Sequence, residues 1–233
     1  MPPDPLRTLL AGETEVTALR RDLYAVRAER GAAAARNALE AVAVRRVWST
    51  GRLAAALRCG PGQVVFFGCG MDTRPRRLLV PGLAIYEVET AAALGAKEAL
   101  LSRAPYGSFS SVPTPVAADL ERPPEWQAAL ASAGFDASRP AVWVVEDVLC
   151  RLAWGEAQAV LQAAARGPLG TTVIADCPTP ATAELGRFGV RCPETCLSAL
   201  GFATCEASQL GDPSANFGGL DASAPPVYVP GGW

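Results

Sequence analysis

The stretch that most constrains this chain is Gln63 to Leu78, QVVFFGCGMDTRPRRL. Val64 to Phe67 is a short apolar run, which predicts a strand buried on both faces. Gly68 and Gly70 follow it and predict a sharp turn with positive φ, where a ligand can approach the backbone. Asp72 or Thr73 is placed to cap a following helix, with Pro75 in its first turn, where a missing N–H costs little. Strand, glycine turn and capped helix make the ligand-binding corner of a doubly wound α/β domain.

The rest of the chain supplies the units that such a corner needs. After an irregular, Pro-rich start up to about Gly12, Ala, Leu, Arg and Glu dominate to about Arg58. Val16, Leu19, Leu23 and Val26 mark one apolar face, and Leu39, Val42, Ala43 and Val47 another. Two or three helices are expected, broken near Gly31 and near Thr50-Gly51. Further strands are predicted at Leu83–Val88, Val112–Ala117, Ala141–Val145 and Thr171–Ala175. Pro113 and Pro115 mark the strand at Val112–Ala117 as an edge. Helices are predicted at Ala91–Ser102, Pro123–Ala133, with Trp126 and Leu130 inward, and Trp154–Arg166. Beyond Asp176 come a loop from Cys177, a helix at Pro193–Leu200 stopped by Gly201, and candidate strands at Phe202–Glu206 and Val227–Val229. This alternation argues for parallel βαβ units. With no repeat or linker, residues 1–233 read as a single domain: a helical lid at 1–58, a ligand-binding core at 63–176 and an acceptor-side segment at 177–233.

Composition narrows the function. The net charge of -2 argues against a general nucleic-acid binder. No apolar run has membrane-spanning length, and the N-terminus lacks a basic start and apolar core, so a cytoplasmic location is expected. There is no histidine, which removes His-based triads and the commonest metal ligand. The seven cysteines are dispersed and read as buried free thiols rather than a disulfide framework. Cys192 and Cys196 can share a helix face, but two thiols make a poor zinc site, so no metal is expected.

An acidic or glycine-rich element ends each strand of the first half. The turn of Gly68 to Asp72 follows the first strand, Glu89 the second, Asp119 the third and Glu146 the fourth. Each alone is most simply a helix cap or a solvated loop. Together they suit an adenosine ligand lying across the strand tips. Glu89 is placed for the ribose hydroxyls, Asp119 for an exocyclic amine, and Glu146 lies nearest the centre of the crevice. A dinucleotide is the rival. Its fingerprint needs glycine or alanine where Thr73 stands, and Asp72 would repel a pyrophosphate at the helix N-terminus. A ligand with adenosine and a cationic centre, such as S-adenosyl-L-methionine, fits better.

These pieces resemble the leucine carboxyl methyltransferase family of class I S-adenosylmethionine-dependent methyltransferases, which includes natural-product O-methyltransferases. The resemblance rests on Gln63–Leu78, YEVET (Tyr86–Thr90) with Lys97, VAADL (Val116–Leu120), GFD…RPAVWVVEDVLCRL (Gly134–Leu152) and LSALGF (Leu197–Phe202). It implies a mainly parallel, seven-stranded-type sheet with N-terminal helices, and S-adenosyl-L-methionine as cofactor. It also implies the site residues. Arg45, in AVRRVW, is similar to the arginine that pairs with the methionyl carboxylate, with Arg46 as the alternative. Gly68 and Gly70 pass under the methionyl part, Glu89 holds the ribose, and Asp119 and Leu120 bracket the adenine. Glu146 lies by the methionyl amine and the transferring methyl. Arg74 has no assigned role, and a surface ion pair is its simplest reading.

The segments that form the family's lid are short here, and Gly218-Gly219 stands where the family has Gly-Arg. The cofactor half is therefore expected intact and the acceptor half reduced. The expected activity is O-methylation of a small molecule or a protein C-terminus. A carboxylate acceptor is favoured over a hydroxyl because it needs no general base. A hydroxyl would call on Glu146, or on Asp147 or Tyr106. A cofactor-binding member without turnover and a nicotinamide-dependent oxidoreductase are the alternatives.

Overall fold

The computed structural model describes residues 13–104, 109–180 and 186–216. They form two compact units. One runs from Leu53 to Cys205, and the other combines residues 13–52 with 206–216.

The second unit is built on helix α1 (Glu13–Leu57), whose residues from Leu53 on are counted with the first unit. The helix breaks once, at Gly31 (φ 88, ψ 173), a conformation that glycine adopts without strain. The second break expected near Thr50-Gly51 does not occur: Gly51 stays helical. The buried face also differs from the expected one. Ala34, Ala38, Ala41 and Val44 are buried at helical spacing, while Ala43 and Val47 are exposed. Small residues allow close approach here, and Leu210 packs on Ala41 and Val44. Arg52 forks onto Glu206 within the same unit, a pair exposed enough to contribute about 0–1 kcal/mol. The side chains of Val16, Leu19 and Leu39 lie outside the described residues.

The first unit holds a five-stranded parallel sheet in the order β3-β2-β1-β4-β5. Its strands are β1 (Gln63–Phe67), β2 (Ala84–Glu89), β3 (Thr114–Ala117), β4 (Val142–Val145) and β5 (Thr172–Ala175). Every residue of β1 is buried, as its apolar run requires of the central strand. The Pro-bearing β3 is an edge strand. The helices are α2 (Ala91–Leu101), α3 (Pro123–Ser132), α4 (Trp154–Ala165) and α5 (Pro193–Ala199). On one sheet face, Val65, Phe67, Tyr86, Val88, Trp143 and Val145 join the main core with Trp126 and Leu130 of α3. Edge-to-face contacts run Phe67–Trp126–Trp143–Phe135–Tyr86, with centroids 5.1–6.3 Å apart. Such pairs add to area burial and hold α3 across three strands.

Two expectations fail between and beyond the strands. No α-helix joins β1 to β2; a single 3₁₀ turn, Arg74–Arg76, stands there, and Thr73 makes no side-chain cap. Pro81 is the physical reason. It disfavours helical geometry in Val80 before it and, with Gly82 (φ 73), sets the turn into β2, where the Leu83 N–H donates to the Val80 carbonyl (3.2 Å). Phe202–Glu206 is irregular rather than a strand, and Val227–Val229 falls outside the described residues. The sheet therefore has five strands among the described residues.

All seven cysteines are free, but only Cys69 is fully buried; Cys59, Cys192 and Cys205 are exposed. Burial raises the Cys69 thiol well above its usual range and pushes Cys177 up to about 12, with Asp176 adding to it. Limited alkylation near neutral pH should therefore label Cys59 long before Cys69 or Cys177, because only the thiolate reacts. Mass spectrometry showing Cys69 modified as fast as Cys59 would contradict this packing.

Candidate active site at the strand tips

The site is assembled at the C-terminal ends of β1, β2 and β4. Gly68 (φ 68) turns the chain out of β1 while its N–H still donates to the Val88 carbonyl, 2.9 Å away. A Cβ on Gly68 would lie 2.7 Å from two carbons of Val148, so this glycine is demanded by packing against the segment after β4. Gly70 (φ 42) differs: a Cβ there would meet nothing within 4 Å. There the turn faces open space.

Glu89 folds back over that turn. One carboxylate oxygen accepts from the Gly70 N–H (3.0 Å) and the other from the Thr90 N–H (2.8 Å). The residue is buried, and its carboxylate retains acceptor capacity beyond those two bonds. Thr90 caps α2 through its side chain, which fixes the β2 tip from the other side.

Arg74 is the main residue that the sequence reading misplaced. It is buried, lies 5.7 Å from the centre of the Phe66 ring, and bridges two carboxylates. Its backbone N–H, Nε and Nη2 donate to the Asp72 carboxylate at 2.6–3.1 Å, and Nη2 also pairs with Glu146 at the β4 tip. Burial opposes its charge, but Asp72 and Glu146 outweigh burial and raise its pKa above the arginine norm. Asp72 shapes the turn, and Arg74 engages its charge directly, so the charge set against a pyrophosphate in the sequence is compensated within the turn itself. The DTR tripeptide carried a local signal, because Asp two residues before Arg matches this turn. The contact to Glu146, 72 residues away, had none.

Lys97 supports the turn from beneath. It is buried on α2, donates to the Asp72 carbonyl (2.5 Å), and pairs with Glu87 on the sheet face opposite Tyr86 and Val88. Arg76 stands 3.8 Å from the other Glu87 oxygen and 2.7 Å from Glu98.

The remaining expected residues are distributed as follows. Asp119 is exposed after β3 and accepts from the Glu121 N–H (3.0 Å), while Leu120 is buried. The backbone after β3 is tied to β2 by the Ala118 N–H, which donates to the Glu89 carbonyl (3.0 Å). Asp147 takes positive φ (58), and its N–H donates to the Asp176 carboxylate (2.9 Å), joining the β4 and β5 tips. Gly68, Gly70, Glu89 and Glu146 are thus brought to one rim, linked through Arg74 and the turn. Arg45 and Arg46 lie half-buried on α1 in the other unit. Tyr106 falls outside the described residues.

A family model described as leucine carboxyl methyltransferase matches residues 2–165. The chain belongs to this family. Relatives with names that mark them as candidate S-adenosyl-L-methionine-dependent methyltransferases match part of the chain. One from Mycobacterium marinum is 35% identical over 116 residues, 48% of this chain and 36% of its own. One from Mycobacterium avium is 41% identical over 96 residues, 40% of this chain and 29% of its own. One from Frankia alni is 37% identical over 109 residues, 46% of this chain and 37% of its own. The chain spans about a third of the length of these curated relatives. A solved structure described as a pericyclic reaction enzyme aligns over 60% of this chain and 32% of its own, at 18% identity and a TM-score of 0.31. The Rossmann-like class rests instead on the parallel sheet and its helices. Among the described residues, no helix is long and apolar enough to cross a membrane.

Proposed function

We propose that this chain is an S-adenosyl-L-methionine-dependent O-methyltransferase. The observation that carries the reading is the Glu89 carboxylate, buried at the β2 tip and bonded to the amide of Gly70, the open glycine of the turn. This arrangement fits the adenosine half of the cofactor. Glu89 has acceptor sites left for ribose hydroxyls, and Gly70 leaves room over the backbone. Asp119 and Leu120 are assigned to the adenine and Arg45 to the methionyl carboxylate by the family resemblance.

When bound, the cofactor supplies a methyl on a sulfonium. The residues of this chain bind and orient. Positioning of this kind can lower a barrier by roughly 7–11 kcal/mol. Glu146, paired with Arg74 at the β4 tip, is assigned to the methionyl amine by the family resemblance. A hydroxyl acceptor would need a general base, whereas a carboxylate acceptor needs none. A carboxylate acceptor, on a small molecule or a protein C-terminus, is therefore the favoured partner. That engagement of Glu146 also supports a second reading, in which the chain binds the cofactor without turnover. A nicotinamide cofactor suits the site less well, because Thr73 stands where that fingerprint needs glycine or alanine.

Calorimetry with S-adenosylmethionine, S-adenosylhomocysteine and NAD separates these readings. Tight NAD binding with no response to the sulfur compounds would overturn the proposal. Glu89→Ala should weaken S-adenosylhomocysteine binding by about 1–3 kcal/mol through lost charged hydrogen bonds. Unchanged affinity would remove Glu89 from the site.

A further inference from the structure

We propose that the break in α1 at Gly31 forms a separate binding site for a small organic anion with an apolar body. This site uses residues of the helical unit alone and does not rest on the methyltransferase reading. Before the break, Arg20, Leu23, Tyr24 and Arg27 recur at i, i+3, i+4 and i+7, the spacing of one helix face. After it, Ala32, Ala35 and Arg36 face the same space. The seven residues line a groove of about 340 Å³, within the range of small-molecule sites.

The lining has a definite chemistry. Three of the seven side chains are arginines and none is acidic. Between residues 20 and 36 there are five arginines against Asp22 and Glu29. Among the described residues, no ion pair engages Arg20 or Arg27. Guanidinium forks match carboxylate, sulfonate or phosphate oxygens in pairs, which favours an anion held at two points. Leu23, Ala32 and Ala35 supply an apolar wall. Tyr24, 70% exposed, offers a ring face with no core to fill. A solvated charged face needs neither a concave shape nor an aromatic side chain between its arginines.

The probe is 8-anilino-1-naphthalenesulfonate, an aromatic anion, titrated by fluorescence into the full chain. Wild type should show one saturable site. Arg20→Gln with Arg27→Gln should weaken it about tenfold or more, the loss of at least one charge-assisted contact. Tyr24→Ala should weaken it several-fold, and Arg58→Glu, an exposed control, should leave it unchanged. The S-adenosylhomocysteine affinity of the arginine double variant, read by calorimetry, should equal that of wild type. This keeps failure of the groove distinct from failure of the cofactor reading. Unchanged probe affinity in the double variant would overturn the site. So would inorganic phosphate displacing the probe while Tyr24→Ala has no effect, since that marks a bare charged patch. A salt-sensitive RNA oligonucleotide that needs these arginines, with no saturable probe binding, would overturn it as well.

Discussion

Methionine in place of Arg74 is expected to lower the unfolding free energy by about 3–5 kcal/mol, the cost of stranding buried charge. The Arg74, Asp72 and Glu146 side chains are each about nine-tenths buried, so solvent cannot take over the work of the guanidinium. Two buried carboxylates would then lose the guanidinium that they share. Arg74→Lys should recover only part of the loss, because one ammonium cannot fork onto Asp72 while reaching Glu146. The measurement is urea denaturation, with the midpoint falling and the slope unchanged. An Arg74→Met protein as stable as wild type would mean that the trio is screened by water.

Lys97→Met is the second large loss. Lys97 and Glu87 are both about 1% exposed, and truncating the lysine leaves the Glu87 carboxylate in the interior. The expected cost is again about 3–5 kcal/mol, toward the lower end because Arg76 stands 3.8 Å from Glu87. The double variant Lys97→Met with Glu87→Gln should regain much of that stability, since removing both charges removes the desolvation penalty that held them together. A double variant no better than the single would assign the loss to packing. Lys97 also donates to the Asp72 carbonyl. Hydrogen exchange at the amides of the Gly68–Asp72 turn should therefore quicken in the single variant.

These two residues show where a linear reading stops. Lys97 was legible as one part of a family pattern, and Arg74 as part of a tripeptide, but neither as a buried counter-ion. Their partners sit on other elements: Glu87 on β2, and Glu146 on β4, 72 residues from Arg74. No local periodicity carries such a pairing. The same limit explains Gly68. Its positive φ follows from its place in the turn, whereas the 2.7 Å approach of Val148 depends on how β4 lies beside β1.

Local rules were reliable where one element answers to one pattern. The run Val64–Phe67 makes a central strand, because only burial on both faces satisfies four consecutive apolar side chains. Pro113 and Pro115 mark an edge, because proline cannot donate to a ladder. Trp126 and Leu130, one turn apart, face the sheet. Those rules fail where elements compete for chain. Between β1 and β2 the Pro81-Gly82 turn stands where a helix after Thr73 was expected to run on, and on α1 the buried face holds Ala34, Ala38, Ala41 and Val44, while Ala43 and Val47 are exposed.

By itself, then, the sequence determined the order of strands and helices, the central strand, the glycine turn and the acidic residues at the strand tips. Each follows from side chains adjacent in the chain or at one helical or strand period. Only the tertiary structure decided which tips meet, that Asp72 and Glu146 share one buried arginine, and that Gly70 faces open space while Gly68 packs against Val148. Those outcomes depend on electrostatics and packing between segments far apart in sequence, and such contacts exist only once the sheet has closed.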